Sequence, residues 1–284
     1  MTERSAPLIA AYKGAAGPDV LTFASRWRGA SGRPIHVVTV YPGAAPLGAG
    51  RMDVEWVAHN REEAEAVLDE ARTALAGTDA EFRTLAADSA PRGLHEAMEA
   101  AGPGAVAVVG SRNTRGIRRT SPGSTADRLL TGAPGPVVIV PWDYEESPQP
   151  PVGRIAVAYI DTPDGRAALT AARAHAAETG AAIDLVTVLP DTLVRPSLGE
   201  PRRFAEEQRR DYLAALEAVA RDGERVRLLD GPVVDALGQV QPEDADLLVC
   251  GSRGYGPARR VLLGGVSARL LKVARVPVMV VPRA

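Results

Sequence analysis

Apolar residues in this chain fall in short blocks that alternate with longer stretches of helical spacing. Leu8 to Tyr12, Ile35 to Val40, Ala105 to Val109 and Val137 to Val140 read as buried strands, with Ala80 to Ala86 as a weaker one. Between them the spacing predicts helices at Asp19 to Trp27, Arg61 to Ala76, Arg92 to Ala101 and about Ser124 to Thr131. In the second of these, Glu62, Glu63, Glu65 and Glu70 fall on the wet side. The alternation then repeats, with strands at Arg154 to Ile160, Ala182 to Leu189, Arg225 to Leu229, Asp246 to Cys250 and Val278 to Val281. Its helices are Arg166 to Glu178, offered a cap by Asp164, then Arg202 to Arg221, Val233 to Val240 and Ser267 to Ala274. Phe204, Leu213, Leu216 and Val219 form the apolar stripe of the longest.

Strands that alternate with helices form parallel sheets covered on both faces. Their crossovers are right-handed, and ligands bind at the carboxyl ends of strands where the strand order reverses. Trp142 to Val152 interrupts the pattern with Pro148, Pro150 and Pro151 and reads as an extended linker. The predicted division is a first domain over 1–144, a linker over 145–152 and a second domain over 153–284.

The two halves are copies of one unit. At an offset of 141, Gly110-Ser111-Arg112-Asn113 matches Gly251-Ser252-Arg253-Gly254, and Gly123-Ser124 matches Gly264-Gly265. Arg118-Arg119 likewise matches Arg259-Arg260, and Pro136 to Pro141 matches Pro277 to Pro282. The first strands match at an offset of 148, which pairs Leu8 with Ala156, Lys13 with Asp161 and Val37 with Leu185. The difference is a net seven extra residues in the first half, expected in the loop Gly43 to Met52, with His59 in that inserted region.

The stretch that carries chemistry follows Cys250. A glycine loop, Gly251-Ser252-Arg253-Gly254, joins an apolar strand to Gly264-Gly265-Val266-Ser267 at a helix start. Glycine admits a ligand close to the backbone, and a helix N-terminus offers free N–H groups to an anion, so the pattern reads as a phosphate site. A glycine loop can equally be a plain turn.

Gly-x2-Gly, nine residues, then Gly-(Ser/Thr) resembles the ATP-binding pattern of universal stress proteins, and Gly251, Gly254 and Gly264 keep its spacing. The likeness covers nearly the whole chain twice, as in a tandem member of that family. It implies strand order 3-2-1-4-5 in each of two doubly wound sheets. It also implies pairing of the closing strands, so that the halves pack as an intramolecular pseudo-dimer, with a further homodimer left open. The implied ligand is an adenine nucleotide, ATP first, with AMP, ADP or a cyclic nucleotide not separated from it. Asp161 falls where the family reads adenine and ribose, and Tyr159, Val188 and Cys250 fall where it lines the adenine pocket. Each has a plainer reading, Asp161 as a loop cap and the others as core.

Gly265 departs from the pattern by losing a hydroxyl, which Ser267 could replace unless it serves the helix start. Arg253, Arg259 and Arg260 either reach a triphosphate or face solvent. In the first half Lys13 stands for the aspartate and Asn113 for the second glycine, which favours a degenerate site. Lys13 could instead neutralise a phosphate.

Composition narrows the rest. A net charge of −2 favours neither nucleic acid nor an anionic membrane. No apolar run reaches membrane length, the N-terminus lacks a signal-peptide core, and the single cysteine excludes an internal disulfide. A soluble cytoplasmic protein is expected. No Walker lysine, G-x-S-x-G elbow or metal-spaced histidine set appears. The leading expectation is therefore a regulatory nucleotide binder with an unknown protein partner, not an enzyme. A slow ATP hydrolase and a nucleotide-free scaffold stand against it.

Overall fold

The computed structural model describes residues 5–13, 17–44, 53–112, 119–146, 151–189, 202–252 and 264–282. The chain divides into two units, Met1–Pro151 and Val152–Ala284. The first runs β1 (Leu8–Ala11), α1 (Gly17–Ser31), β2 (Ile35–Pro42), α2 (Asp53–Ala74), β3 (Ala80–Ala87), α3 (Ala90–Ala101), β4 (Val106–Gly110), α4 (Ser124–Leu130) and β5 (Val137–Val140). Its strands pair in parallel in the order β3-β2-β1-β4-β5. The second runs β6 (Arg154–Ala158), α5 (Pro163–Thr179), β7 (Ala182–Val188), α6 (Arg202–Glu217), β8 (Arg225–Leu229), α7 (Val233–Gly238), β9 (Leu247–Gly251), α8 (Gly265–Leu270) and β10 (Val278–Val281). It repeats the order as β8-β7-β6-β9-β10, all parallel. Both units thus have the 3-2-1-4-5 sheet, with its reversal between the first and fourth strands.

Consecutive residues of the central strands are buried without alternation. Leu8, Ile9 and Ala10 are, and so are Leu247, Leu248 and Val249. Such runs require both faces of a sheet to be covered. In the first unit α1 packs beside α2, and α3 beside α4. Phe23 and Trp27 of α1 are fully buried and meet edge to face at 5.4 Å, and Tyr144 closes on Phe23 at 5.8 Å. Asp19, in the first turn of α1, accepts the Glu145 N–H at 2.8 Å and so ties the end of the unit to that helix. Burial raises its pKa, against the pull of the N–H groups of Glu145, Tyr144 and Asp143. In the second unit fully buried Asp184 accepts both ends of the Arg225 guanidinium at 2.8 Å, tying β7 to β8.

Pairing registers correct the repeat. Leu8 pairs with Ile35 and Val106, whereas Ile155 pairs with Ile183 and Leu247. Leu8 is therefore equivalent to Ile155, one position earlier than the sequence match, at an offset of 147. Backbone bonds agree. The Tyr12 N–H donates to Val38 O and its carbonyl accepts Thr39 Oγ1, and Tyr159 makes the same two bonds with Val186 and Thr187. Tyr12 matches Tyr159, Lys13 matches Ile160, and Asp161 matches Gly14, which lies outside the described residues. The pairing of Lys13 with Asp161 is overturned.

The seven extra residues are also divided. Val37 faces Phe82 and Leu185 faces Val226, which sets β3 against β8 at an offset of 144. Four extra residues thus precede β3 and three follow it. The loop Gly43 to Met52 does not hold them all, and most of it lies outside the described residues. Helix α2 starts at Asp53, eight residues earlier than expected, because no glycine or proline breaks the chain from there to Ala74. His59 is consequently helical and exposed, 3.3 Å from Glu63 one turn on, and not in a loop. Helices α6 and α7 end four and two residues sooner than expected, α7 at Gly238.

Candidate functional site

In the second unit a small cavity of about 60 Å³ lies at the carboxyl ends of β6 and β9, where the strand order reverses. Tyr159, Val188, Cys250, Gly251, Val266 and Ser267, all expected from the sequence, line it. Ile160, Gly165, Val233, Leu237 and Leu270 line it as well and were missed. The register error hid Ile160, and the tyrosine shared by Tyr12 and Tyr159 was the signal that could have found it. Gly165 falls just before the helix Arg166 to Glu178 expected from the sequence and carries no site signal there, and the three aliphatics carry none beyond their helical spacing.

Thr162 and not Asp164 caps α5, with its Oγ1 accepting the Gly165 N–H at 3.1 Å and Pro163 following it. Asp164 is buried in the first turn against β9, where the Ser252 hydroxyl donates to it at 3.5 Å. Two glycines permit this approach. A Cβ on Gly165 would lie 2.0 Å from the Ile160 carbonyl oxygen, and one on Gly251 would lie 2.8 Å from the Asp164 carbonyl oxygen. Gly251 is thus held to glycine by its own helix neighbour, a requirement that needs no ligand.

The Ser267 hydroxyl donates to Gly251 O at 2.9 Å and is buried. It therefore fastens α8 to β9 and is not free to replace the hydroxyl missing at Gly265. Gly264 is the N-cap of α8, with no side-chain cap, and its N–H donates to Ser252 O at 2.6 Å. Gly265 is exposed, and a Cβ there would meet nothing within 4 Å. Neither lines the cavity. Arg253, Gly254, Arg259 and Arg260 lie outside the described residues, as does Asn113 of the first unit.

Asp161 does not line the cavity. Its side chain is 73% exposed and turns to Arg166 on the adjacent helix, with which it forms an ion pair. It lies three residues past the end of β6, just before the Thr162 cap of α5. Tyr159 keeps a hydrogen bond to Asp161 Oδ1 at 3.3 Å, and burial, then the Asp161 charge, raises its pKa.

Burial pushes the Cys250 thiol up to about 12. Below that pH it stays a neutral apolar wall. In the unfolded chain it ionises near 9.0, so the buried thiol stabilises the fold below pH 9 and loses this contribution as pH rises from 9 towards 12. An aromatic disulfide reagent at pH 8 should leave Cys250 untouched until the protein unfolds, and then react within the unfolding time. Prompt labelling of the native protein would place the thiol elsewhere.

The first unit carries the equivalent cleft, between the ends of β1 and β4, and it holds about 490 Å³. Tyr12, Lys13, Leu94, Arg112, Ser124 and Trp142 are among its lining residues. The half expected to be degenerate has the larger cavity. Among the described residues no group of three or more His, Cys, Asp or Glu side chains could hold a metal ion, and no helix is long and apolar enough to cross a membrane.

Comparison with known proteins agrees with this geometry. The profile of the universal stress protein family matches twice, over residues 8–141 and 151–282. A universal stress protein of Mycolicibacterium smegmatis is 34% identical over 206 residues, 68% of this chain and 66% of that one. Another, from Mycobacterium tuberculosis, is 26% identical over 95% of this chain and 97% of its own. In structure, a universal stress protein from Archaeoglobus fulgidus aligns over 99% of this chain and 100% of its own, with a TM-score of 0.70 at 21% identity. With its sheet order, its doubled profile and its two clefts at equivalent strand ends, this chain belongs to the universal stress protein family and carries the family's domain twice.

Proposed function

We propose that the chain is a regulatory nucleotide-binding protein that works in the cytoplasm. An adenine nucleotide, ATP first, sits in the second unit, and a protein partner reads its presence. The supporting observation is the meeting of apolar side chains from β6, β7, β9 and α8 at the reversal point with Gly251 among them, the residue that opens the sequence pattern Gly251, Gly254 and Gly264. Apolar walls suit an aromatic base, and the loop backbone suits phosphates. No carboxylate is among the described lining residues, which supports binding over hydrolysis by a general base.

Calorimetric titration with ATP tests the assignment to the second unit. Gly254→Asp, which adds a side chain and a negative charge to the loop, should abolish binding, and Asn113→Asp should leave it nearly unchanged. The reverse ranking refutes the assignment. Asp161→Lys should change affinity by no more than about fivefold, because an exposed ion pair contributes about 0–1 kcal/mol and the side chain stands outside the cavity. A loss of about tenfold or more would return Asp161 to the ligand.

A further inference from the structure

The two clefts differ in size and charge. The cleft of the first unit, at about 490 Å³, lies in the range of about 300–1,000 Å³ typical of small-molecule sites, and that of the second, at about 60 Å³, lies far below it. Val38, Val40 and Leu94 line the larger cleft with apolar surface, and Trp142 adds a flat aromatic wall. Lys13 and Arg112, both exposed, also line it. Neither has a carboxylate partner among the described residues, and no Asp or Glu is among the described lining. The position of Lys13 is Ile160 in the second unit, so this charge belongs to the first cleft alone. Gly123 lies beside the Arg112 stem, where a Cβ would meet its Cγ at 3.4 Å. The Tyr12 hydroxyl lies 3.5 Å from Glu70 and the Ser111 hydroxyl accepts the Ser121 N–H at 2.9 Å, so both are already engaged.

We propose that the first cleft is a second ligand site, for an organic anion with a flat or aliphatic apolar body, held by Lys13 and Arg112. Two cations at the mouth supply charge-assisted hydrogen bonds to a carboxylate, sulfonate or phosphate. The apolar walls take the body. A ribose is commonly held by an acidic side chain, and the described lining offers none, so the site favours this class over nucleotides. The inference stands independently of nucleotide binding in the second unit.

The test uses the full chain and the fluorescent probe 1-anilinonaphthalene-8-sulfonate. One saturable site per chain is expected, with energy transfer from tryptophan that falls in Trp142→Phe. Lys13→Gln and Arg112→Gln should each weaken it roughly tenfold, as for one charged hydrogen bond lost. Ser124→Trp, at an exposed lining position, should block it, and Val266→Trp in the second unit should leave it intact. Melting curves check that each variant folds. No saturable binding, or binding indifferent to both Lys13→Gln and Arg112→Gln, overturns the proposal. Displacement by ATP in the Val266→Trp background overturns the ligand class. Loss of ATP binding by the second unit is read in a separate titration and bears only on the nucleotide reading.

Discussion

Gly165→Ala is expected to lower the thermal midpoint by roughly 10 °C, the equivalent of about 3 kcal/mol in a unit of this size. The new Cβ would sit 2.0 Å from the Ile160 carbonyl oxygen, a backbone atom that cannot rotate away as a side-chain tip could. Relief requires α5 to lift from the end of β6. That lift would disturb the Thr162 cap and pull Asp164 from its place beside Gly251. Gly265→Ala is the matched control. Its Cβ meets nothing within 4 Å in the first turn of α8, so the gain in helix propensity should leave the midpoint unchanged or slightly raised. Equal midpoints for the two variants would mean that α5 does not pack on β6 as described.

The architecture was readable because parallel strands buried on both faces leave unbroken apolar runs, as in Val106 to Val109 and Leu247 to Cys250. Helix limits were less readable. The residues Val54, Trp56 and Val57 of α2 follow a glycine-rich stretch that resembles loop, and only the absence of a later breaker shows that the helix has begun. Register was the hardest to read. Sliding β1 by one residue exchanges Lys13 for Gly14 opposite Asp161, and with it the inferred chemistry of the first unit. Apolar strands of similar composition match almost as well in either register. The tyrosines at 12 and 159 fix it through identical backbone bonds, which sequence similarity weighs as a single match. Gly251 was legible as a site residue, yet its steric need comes from Asp164. Ile160, Leu237 and Leu270 were not legible, because an aliphatic that lines a cavity and one that fills a core look alike in sequence.

Size also bears on the nucleotide binding proposed for the second unit. A volume of about 60 Å³ is room for about two waters. An adenine ring needs more, so the proposed binding requires Val233 and Leu237 on α7 to move apart from Val266 and Leu270 on α8. These helices are six residues each, which suits movement better than a shift of the sheet would. Association should accordingly be slower than for a preformed pocket. Val266→Trp closes the gap from the α8 side. Val266 is only half-buried, so overpacking should cost about 1–3 kcal/mol and leave the protein folded.

The central claim, that nucleotide occupies the second unit and not the first, is tested most directly by titrating ATP into the wild-type chain, Val266→Trp and Ser124→Trp, with melting curves to confirm folding. One ATP per wild-type chain, lost in Val266→Trp and kept in Ser124→Trp, is the predicted result. ATP binding that survives Val266→Trp and disappears in Ser124→Trp would contradict it and place the nucleotide in the first cleft.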